Sequence, residues 1–478
     1  MQNQQNQVSN FGDNVRFEPA EIHRPQSESE LLDLLNRNRG RRFRVIGSGH
    51  AWSQLIETPD ILIQMFDISG VRLVKEGGQT YVWVGAGCRI ASLVENLNQH
   101  GLTLPSLGLI QAQRIAGATA TGTHGSGKHS LSHYIQAVRI ASFPEGAETA
   151  ETRLIDDGPE LQAARCSLGA MGIIVEVKLP VISQYMVEEW IEEHPQVEKL
   201  LECEQDTPLQ QTFLFPHRWT WFVQRRRVAN RSHRSSFAWL YRIYWFLAMD
   251  LSLHLVIKLF TSVLRSQRLT RFLFRRLVPL AVPIRKHVVD RSDRHLTMEH
   301  DLFRHLELEA FVPRRHLAAA SAFVRTVLQV ADSRRFRPSR EFLQQIDALK
   351  MRDELFALAG TYTHHYPICF RLIKGDDTLI SPAAGPDDWY AISLITYTRP
   401  RDNFYRTVTF IAKALTKLHQ GRIHWGKWFP LDQSHVQQQY PELAQFIEVV
   451  QKSDPEGLFT NEFVSEKLGL QRGSDQIN

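Results

Sequence analysis

Cysteine is scarce in this chain. Cys88, Cys166, Cys203 and Cys369 are the four in 478 residues, and none belongs to a CxxC pair. That argues against a disulfide framework and against a thiolate zinc site, and no metal site is expected. The opening MQNQQNQVSN lacks both a basic start and an apolar run. The expectation is therefore a protein without a secretory signal, in a reducing cytoplasm. Internal repeats are lacking, and low complexity stops at these Gln/Asn-rich first residues. Nor is charge of one sign spread along the chain. Residues 224–290 hold 14 Lys+Arg against two acids, whereas the rest carries 42 against 49. A uniformly basic nucleic-acid binder is a poor reading of that balance, and no nucleic-acid partner is expected. What the chain does have is bulk: 43 % hydrophobic and 22 % charged residues, over a length suited to roughly two or three domains.

Segment 26–39 has a Ser/Glu start with Leu31, Leu32, Leu34 and Leu35 at helical spacing. The strand-like RFRVIG follows, punctuated by Gly47 and Gly49. YVWVGAG (81–87) reads as a second strand and 90–101 as a helix stopped by Gly101. A strand near 135–142 and the helix–strand pair LQAARCSLGAMGIIVEVKLPV complete an α+β unit ending at about residue 182.

Beyond it the texture changes. The strand-like QTFLFPHRWTWFVQRR leads into 237–278, which has neither Pro nor Gly. At 100° per residue its ionisable side chains, from Arg242 to Arg276, share one arc of about 160°. The stretch is thus amphipathic rather than membrane-spanning. Two readings stay open. Helices here pack one face on the body and solvate the other, or the basic arc with Trp239, Tyr244 and Trp245 makes a peripheral contact with an anionic membrane, at its inner face.

Two glycine-rich turns carry the strongest local signals. In Val45-Ile46-Gly47-Ser48-Gly49-His50 a strand empties into a tight turn, where backbone N–H groups can approach an anion with no Cβ in the way. From Gly117 to Gly127 no side chain exceeds Thr except His124, which describes a backbone pressed against a flat or extended ligand.

With these turns come GLTLPSLG, IAGATATGTHGSG, SLGAMGIIVEV, HWGKWF, YPELAQF and DPEGLFTNEF, in that order along nearly the whole chain. The sequence resembles the vanillyl-alcohol-oxidase (p-cresol-methylhydroxylase, PCMH-type) flavoproteins, and within them the sugar-1,4-lactone oxidases that act on gulonolactone or arabinonolactone. Residues 185–300 match poorly. The resemblance implies an α+β fold in three parts: a two-lobed PCMH-type FAD-binding domain (1–182), a substrate or cap domain (183–420) and a C-terminal segment returning to the flavin (421–478). Gly47, Ser48, Gly49, His50 and Ala51 would lie against the FAD pyrophosphate. Pro105, Ser106, Gly108, Ala116, Gly117, Ala118, Thr121, Gly122, Thr123, His124, Gly125, Gly172, Ile173 and Ile174 would line the ring system and the adenosine half. His50 would carry a covalent bond to the flavin.

Lys427, in HWGK, would supply positive charge where hydride arrives. Arg371 would stabilise the substrate oxygen. Family members usually show Glu-x-Arg there, followed by an acidic pair and Ser-Pro, as in Asp376-Asp377 and Ser381-Pro382; here Cys369 replaces the glutamate. A thiol is a weaker proton acceptor at neutral pH. His364, His365, His424 and Glu309 are the candidates to take over. Leu109 also replaces a common serine, so two hydrogen-bonding groups are lost where a polyol or lactone would sit. Gly108 leaves the approach of oxygen open. The expected activity is oxidation of a CH–OH group in a small, lactone-like substrate, with oxygen as acceptor; an alditol, an oligosaccharide, a less polar metabolite, or a membrane-surface flavoprotein with weakened catalysis are the alternatives.

Overall fold

A computed structural model describes residues 6–230, 233–298 and 302–470. The chain forms two units. The first takes the chain to Gln184, the short piece Lys374–Pro386 and everything from His424; the second takes Tyr185–Ile373 and Asp387–Ile423. The insertion of Lys374–Pro386 into the first unit is not visible in a division of the sequence at 182 and 420.

The first unit has two lobes. One is a parallel three-stranded sheet with Ile61–Ile63 between Glu21–His23 and Phe43–Val45. Helix Glu28–Arg37 buries Leu31, Leu34 and Leu35, and its Ser27 cap accepts the Glu30 N–H. The other is antiparallel, in the order Glu151–Ile155, Ala137–Ser142, Ile173–Pro180, Gln79–Gly85, Val71–Glu76. Helix Ile90–Gln99 ends where Gly101 takes φ +68°. A Cβ at Gly172 would fall 2.6 Å from Ala141 O, so only glycine lets the strand Ile173–Pro180 start beside Ala137–Ser142.

Lys374–Pro386 is held by a buried carboxylate. Asp376 accepts from the hydroxyls of Ser130 (2.9 Å), Thr378 (2.7 Å) and Ser381 (2.7 Å). Asp377 bonds Arg165 at 2.5 Å and faces His133 at 3.0 Å, and these partners, His133 first, hold it well below the usual carboxylate range. The clamp sets Pro382 against the glycine-rich loop. A Cβ on Gly122, which has φ +83°, would lie 2.9 Å from the Pro382 ring.

The second unit is built on an eight-stranded antiparallel sheet in the order Val288–Arg291, Met186–His194, Trp221–Val228, Gln211–Leu214, Ile368–Ile373, Trp389–Tyr397, His305–Pro313, Arg422–Ile423. Helices Leu317–Asp332 and Asp402–His419 pack on each other and on His305–Pro313. Two further helical runs, 238–263 and 267–281, cover an apolar patch that includes Ile191, Phe215, Phe222, Tyr366 and Tyr397.

In the first of these runs the charged arc turns inward. Arg242 bonds the buried Asp290. His254 Nδ1 lies 3.1 Å from the Tyr397 hydroxyl and 3.2 Å from that of Tyr366, and Lys258 Nζ sits 4.5 Å from the centre of the Phe303 ring. Trp245 also packs inward, against Tyr241, whereas Trp239 and Tyr244 are exposed. Wide turns over Trp245–Leu253 and Leu259–Val263 advance less than 100° per residue, so the regular wheel misplaces these faces.

Removing the Asp376 carboxylate would strand three hydroxyls in a dry site. Asp376→Ala is expected to cost about 3 kcal/mol. It should also open 374–386 to limited proteolysis; wild-type resistance in the variant would show that the clamp is dispensable.

Candidate active site

In the first unit the first glycine-rich turn lies against the segment just before the second loop, a Cβ on Gly47 falling 3.5 Å from the Arg114 side chain. Ser48 Oγ donates to Ala112 O at 2.6 Å, and Gly49 takes φ +70° beside the backbone of Asn10 and Phe11. Phe11 stacks on His50, ring centres 4.7 Å apart, and His50 Nδ1 is 3.2 Å from Ser48 O. The Asn10 amide fixes Ala51 by donating to its carbonyl at 2.7 Å.

The second loop begins with the short helix Ile115–Thr119, which contains Ala116, Gly117 and Ala118. A Cβ on Gly117 would meet no protein atom within 4 Å, whereas one on Gly108 would fall 2.9 Å from Thr123 Cγ2. Gly108 thus has a packing reason to be glycine, in addition to any effect on oxygen. Thr121 Oγ1 bonds Gly117 O at 3.1 Å, Thr123 N bonds Ala118 O at 3.0 Å, and His124 Nδ1 lies 2.9 Å from Gly125 O. Next to Pro105, the buried Ser106 Oγ has no hydrogen-bond partner among the described residues. Ile173 and Ile174 are buried in strand pairing with Ala141 and Ile140. Small residues, open space beside Gly117 and an unsatisfied hydroxyl at Ser106 fit a large polar cofactor laid along these loops.

The HWGK turn belongs to the same unit. Trp52 N donates to Gly426 O at 2.8 Å and Ser53 Oγ to Trp425 O at 2.6 Å, so this turn is fastened to the residues just after His50. Trp425 is fully buried between Phe429 and Tyr440. Lys427 Nζ lies 4.3 Å from the centre of the Trp52 ring, a cation–π contact. His424 and His124 are both buried, with ring centres 6.1 Å apart.

Cys369 and Arg371 are in the second unit, on one face of strand Ile368–Ile373. Register places Cys369 opposite Ser393, and Ser393 opposite Glu309, one row across three strands. Ser393 Oγ donates to Glu309 at 2.8 Å, and both are buried. Burial pushes the Cys369 thiol up; Arg371 pulls it back, while Glu309 and Glu307 add to the rise. Burial works the other way on Arg371, but Cys369, Glu309 and Glu307 outweigh it and hold the guanidinium charged. Of the four candidates to replace the missing glutamate, Glu309 alone stands in this row. His364 faces the Tyr362 hydroxyl at 3.0 Å and His365 faces Thr363 O and Thr396. His424 lies in the other unit.

A family model described as D-arabinono-1,4-lactone oxidase matches residues 177–467, and one described as FAD binding domain matches 19–149. The chain belongs to the D-arabinono-1,4-lactone oxidase family. A long-chain alcohol oxidase from an uncultured marine euryarchaeote is 42 % identical, over 97 % of each chain. The L-gulono-1,4-lactone dehydrogenase of Mycobacterium tuberculosis is 27 % identical, over 94 % of this chain and 96 % of that one. A solvent-stable cholesterol oxidase shares the fold, with TM-score 0.74 at 13 % identity over 97 % of both chains. This arabinonolactone-oxidase family member is accordingly an FAD-dependent oxidoreductase acting on CH–OH donors, with a PCMH-type FAD-binding domain.

Sequence reasoning missed Phe11 and Ser393. Phe11 reaches His50 only through tertiary folding, whereas Ser393 lies two residues from Ala391 and Ile395 on one strand face, a readable signal.

His217, His364 and His365 are buried in the second unit, and burial lowers each below the ordinary imidazole value, His365 to about 4. They are neutral when folded and protonate more easily when unfolded. Their contribution is complete above the unfolded value of about 6.5 and is lost as pH falls toward 4, about 3 kcal/mol for His365 alone. Thermal melts should therefore drop steadily over that window, and His365→Asn should flatten the decline. A melting temperature independent of pH in that range would contradict the assignment.

Proposed function

We propose that this enzyme oxidises the hydroxyl-bearing carbon of a long, largely apolar alcohol, with oxygen as electron acceptor and hydrogen peroxide as product. The observation that carries this reading is the 42 % identity, end to end, with a long-chain alcohol oxidase. Cys369 and Leu109 support it. The family resemblance leads one to expect a hydrogen-bonding side chain at each of these positions, and its loss leaves sugar hydroxyls unpaired.

Bound FAD supplies a two-electron acceptor for the hydrogen that leaves carbon. Gly47, Ser48, Gly49 and Ala51 would hold its pyrophosphate. Pro105, Ser106, Gly108, the loop from Ala116 to Gly125 and the start of the strand at Gly172 would hold the rest, with His50 as tether. Lys427 brings positive charge to the cofactor's side of the chemistry. Arg371 binds and orients the substrate oxygen. Glu309 receives the hydroxyl proton, since the buried Cys369 thiol stays protonated at neutral pH.

In a steady-state panel with peroxide detection, kcat/KM should rise about four-fold per added CH2 along a series of primary alcohols until the binding space is filled. On the best alcohol, Glu309→Gln should lower kcat by about 100-fold or more, whereas Cys369→Ser should change it little. Faster turnover of arabinono- or gulono-1,4-lactone than of any alcohol would sink the substrate assignment. A fully active Glu309→Gln would sink the proton acceptor.

For the tether, acid precipitation should leave a yellow pellet for the wild type and a white one for His50→Ala. Yellow supernatant from the wild type would mean that the cofactor is held without a covalent bond.

A further inference from the structure

Of the 20 large hydrophobic side chains exposed among the described residues, 15 lie between Phe237 and Ile284. Trp239, Leu240, Ile243, Leu247, Leu255 and Leu259 crowd the outer side of the first helical run. Phe272, Leu277 and Leu280 continue the patch on the second, with Leu280 82 % exposed. One exposed apolar residue is ordinary; a contiguous field of this extent marks an interaction surface.

Helix Ala238–Thr261 is long and apolar enough to cross a membrane, with 6 % of its apolar window buried. Its inner side is already committed, however. The Tyr241 hydroxyl donates to the buried Glu189 at 2.8 Å, Arg242 pairs with Asp290, and His254 meets Tyr366 and Tyr397. On the second run Arg271 pairs with Asp332 at 2.9 Å. Spanning a bilayer would strip these polar groups of partners, whereas lying flat keeps every one of them.

Charge completes the picture. Arg265, Arg268, Arg276, Arg285 and Lys286 are exposed along the same two runs and the turn after them. Between 233 and 289 the lone acid is Asp250, which is half-buried. A surface that joins exposed aliphatics and aromatics to arginines, without a competing exposed acid, complements a layer of anionic headgroups over acyl chains. We propose that the outer face of 237–286 docks flat on an anionic lipid bilayer, so that the enzyme is a monotopic membrane-surface protein. The inference rests on this face alone and holds whichever substrate the enzyme takes.

The test is flotation of the full-length, FAD-loaded protein with phosphatidylcholine vesicles, with and without phosphatidylglycerol. The wild type should float with the anionic vesicles and bind the zwitterionic ones at least several-fold less. Leu247→Glu/Leu255→Glu should reduce binding to both by about ten-fold or more, and Arg268→Glu/Arg276→Glu should mainly erase the preference for phosphatidylglycerol. Flavin content and turnover of a water-soluble short alcohol should be unchanged in both variants, because none of the four residues belongs to the catalytic or cofactor-binding set. As a measurement that needs no disruptive variant, brominated lipid should quench wild-type tryptophan fluorescence, less so in Trp239→Phe. Absence of flotation with either vesicle would overturn the proposal. So would a lipid-free dimer that Leu247→Glu/Leu255→Glu splits into monomers, since the face would then belong to a second copy. Loss of alcohol oxidation with flotation intact would count against the proposed reaction and leave this inference standing.

Discussion

A charge removed from water must find a partner, and the second unit is organised around that requirement. Glu189 and Arg226 face each other across neighbouring strands at 2.7 Å, both buried, and Tyr241 donates to the same carboxylate from the helix above. Burial alone would raise Glu189, but Arg226 leads the partners that hold it below the usual carboxylate range. Asp290, one strand over, captures Arg242 in the same way. These contacts decide which side of the helix looks inward. The inner side carries these polar groups together with Met249, Leu253, Val256, Ile257 and Phe260 on the apolar patch, while Leu240, Ile243, Leu247 and Leu255 face out, so the helix is apolar on both sides. An amphipathic helix on a water-soluble body ordinarily turns its outer side polar.

The same requirement shapes the row from Cys369 to Glu309. Arg371 is a permanent cation on a largely buried face, and the residue two before it is Cys369, where the family resemblance leads one to expect a glutamate. Glu307 and Glu309, from a strand two places away, provide the compensating charge. Replacing a carboxylate by a thiol on one strand is tolerable because carboxylates on another already act on the same guanidinium. That substitution also removes one ionic group from the surroundings of Arg371, which suits the less polar alcohol proposed above.

Much of the first unit was legible in the sequence. Helix Ile90–Gln99, the strands around 81–87 and 135–142, and the stop at Gly101 follow from local periodicity and from glycine. Asp376-Asp377 and Ser381-Pro382 were visible as a motif, but their work was not. Asp376 organises hydroxyls from residues about 250 positions apart, and no window of sequence reports such a contact. The row that joins Cys369, Ser393 and Glu309 was hidden for a similar reason, because register between distant strands is a property of the sheet. The helical stretch failed differently. A wheel at 100° per residue put its charges on one arc, whereas in the fold Arg242, His254 and Lys258 turn inward and Arg265, Arg268 and Arg276 are exposed.

The first helical run and the strand that carries Cys369 and Arg371 are also physically joined. His254 bonds to the Tyr366 and Tyr397 hydroxyls, and Tyr366 lies two residues before the strand that carries Cys369 and Arg371. Tyr397 ends the strand that carries Ser393. Burial pushes Tyr397 well above the usual phenol value, so its hydroxyl keeps its proton and its hydrogen bonds at any physiological pH. Close-packed interiors transmit small displacements rather than absorbing them. A helix tied through neutral, permanently hydrogen-bonded side chains to both strands of the row fixes that row in place. Seating the outer face on a lipid surface would then load a rigid block, with Arg371 and Glu309 moving as one piece.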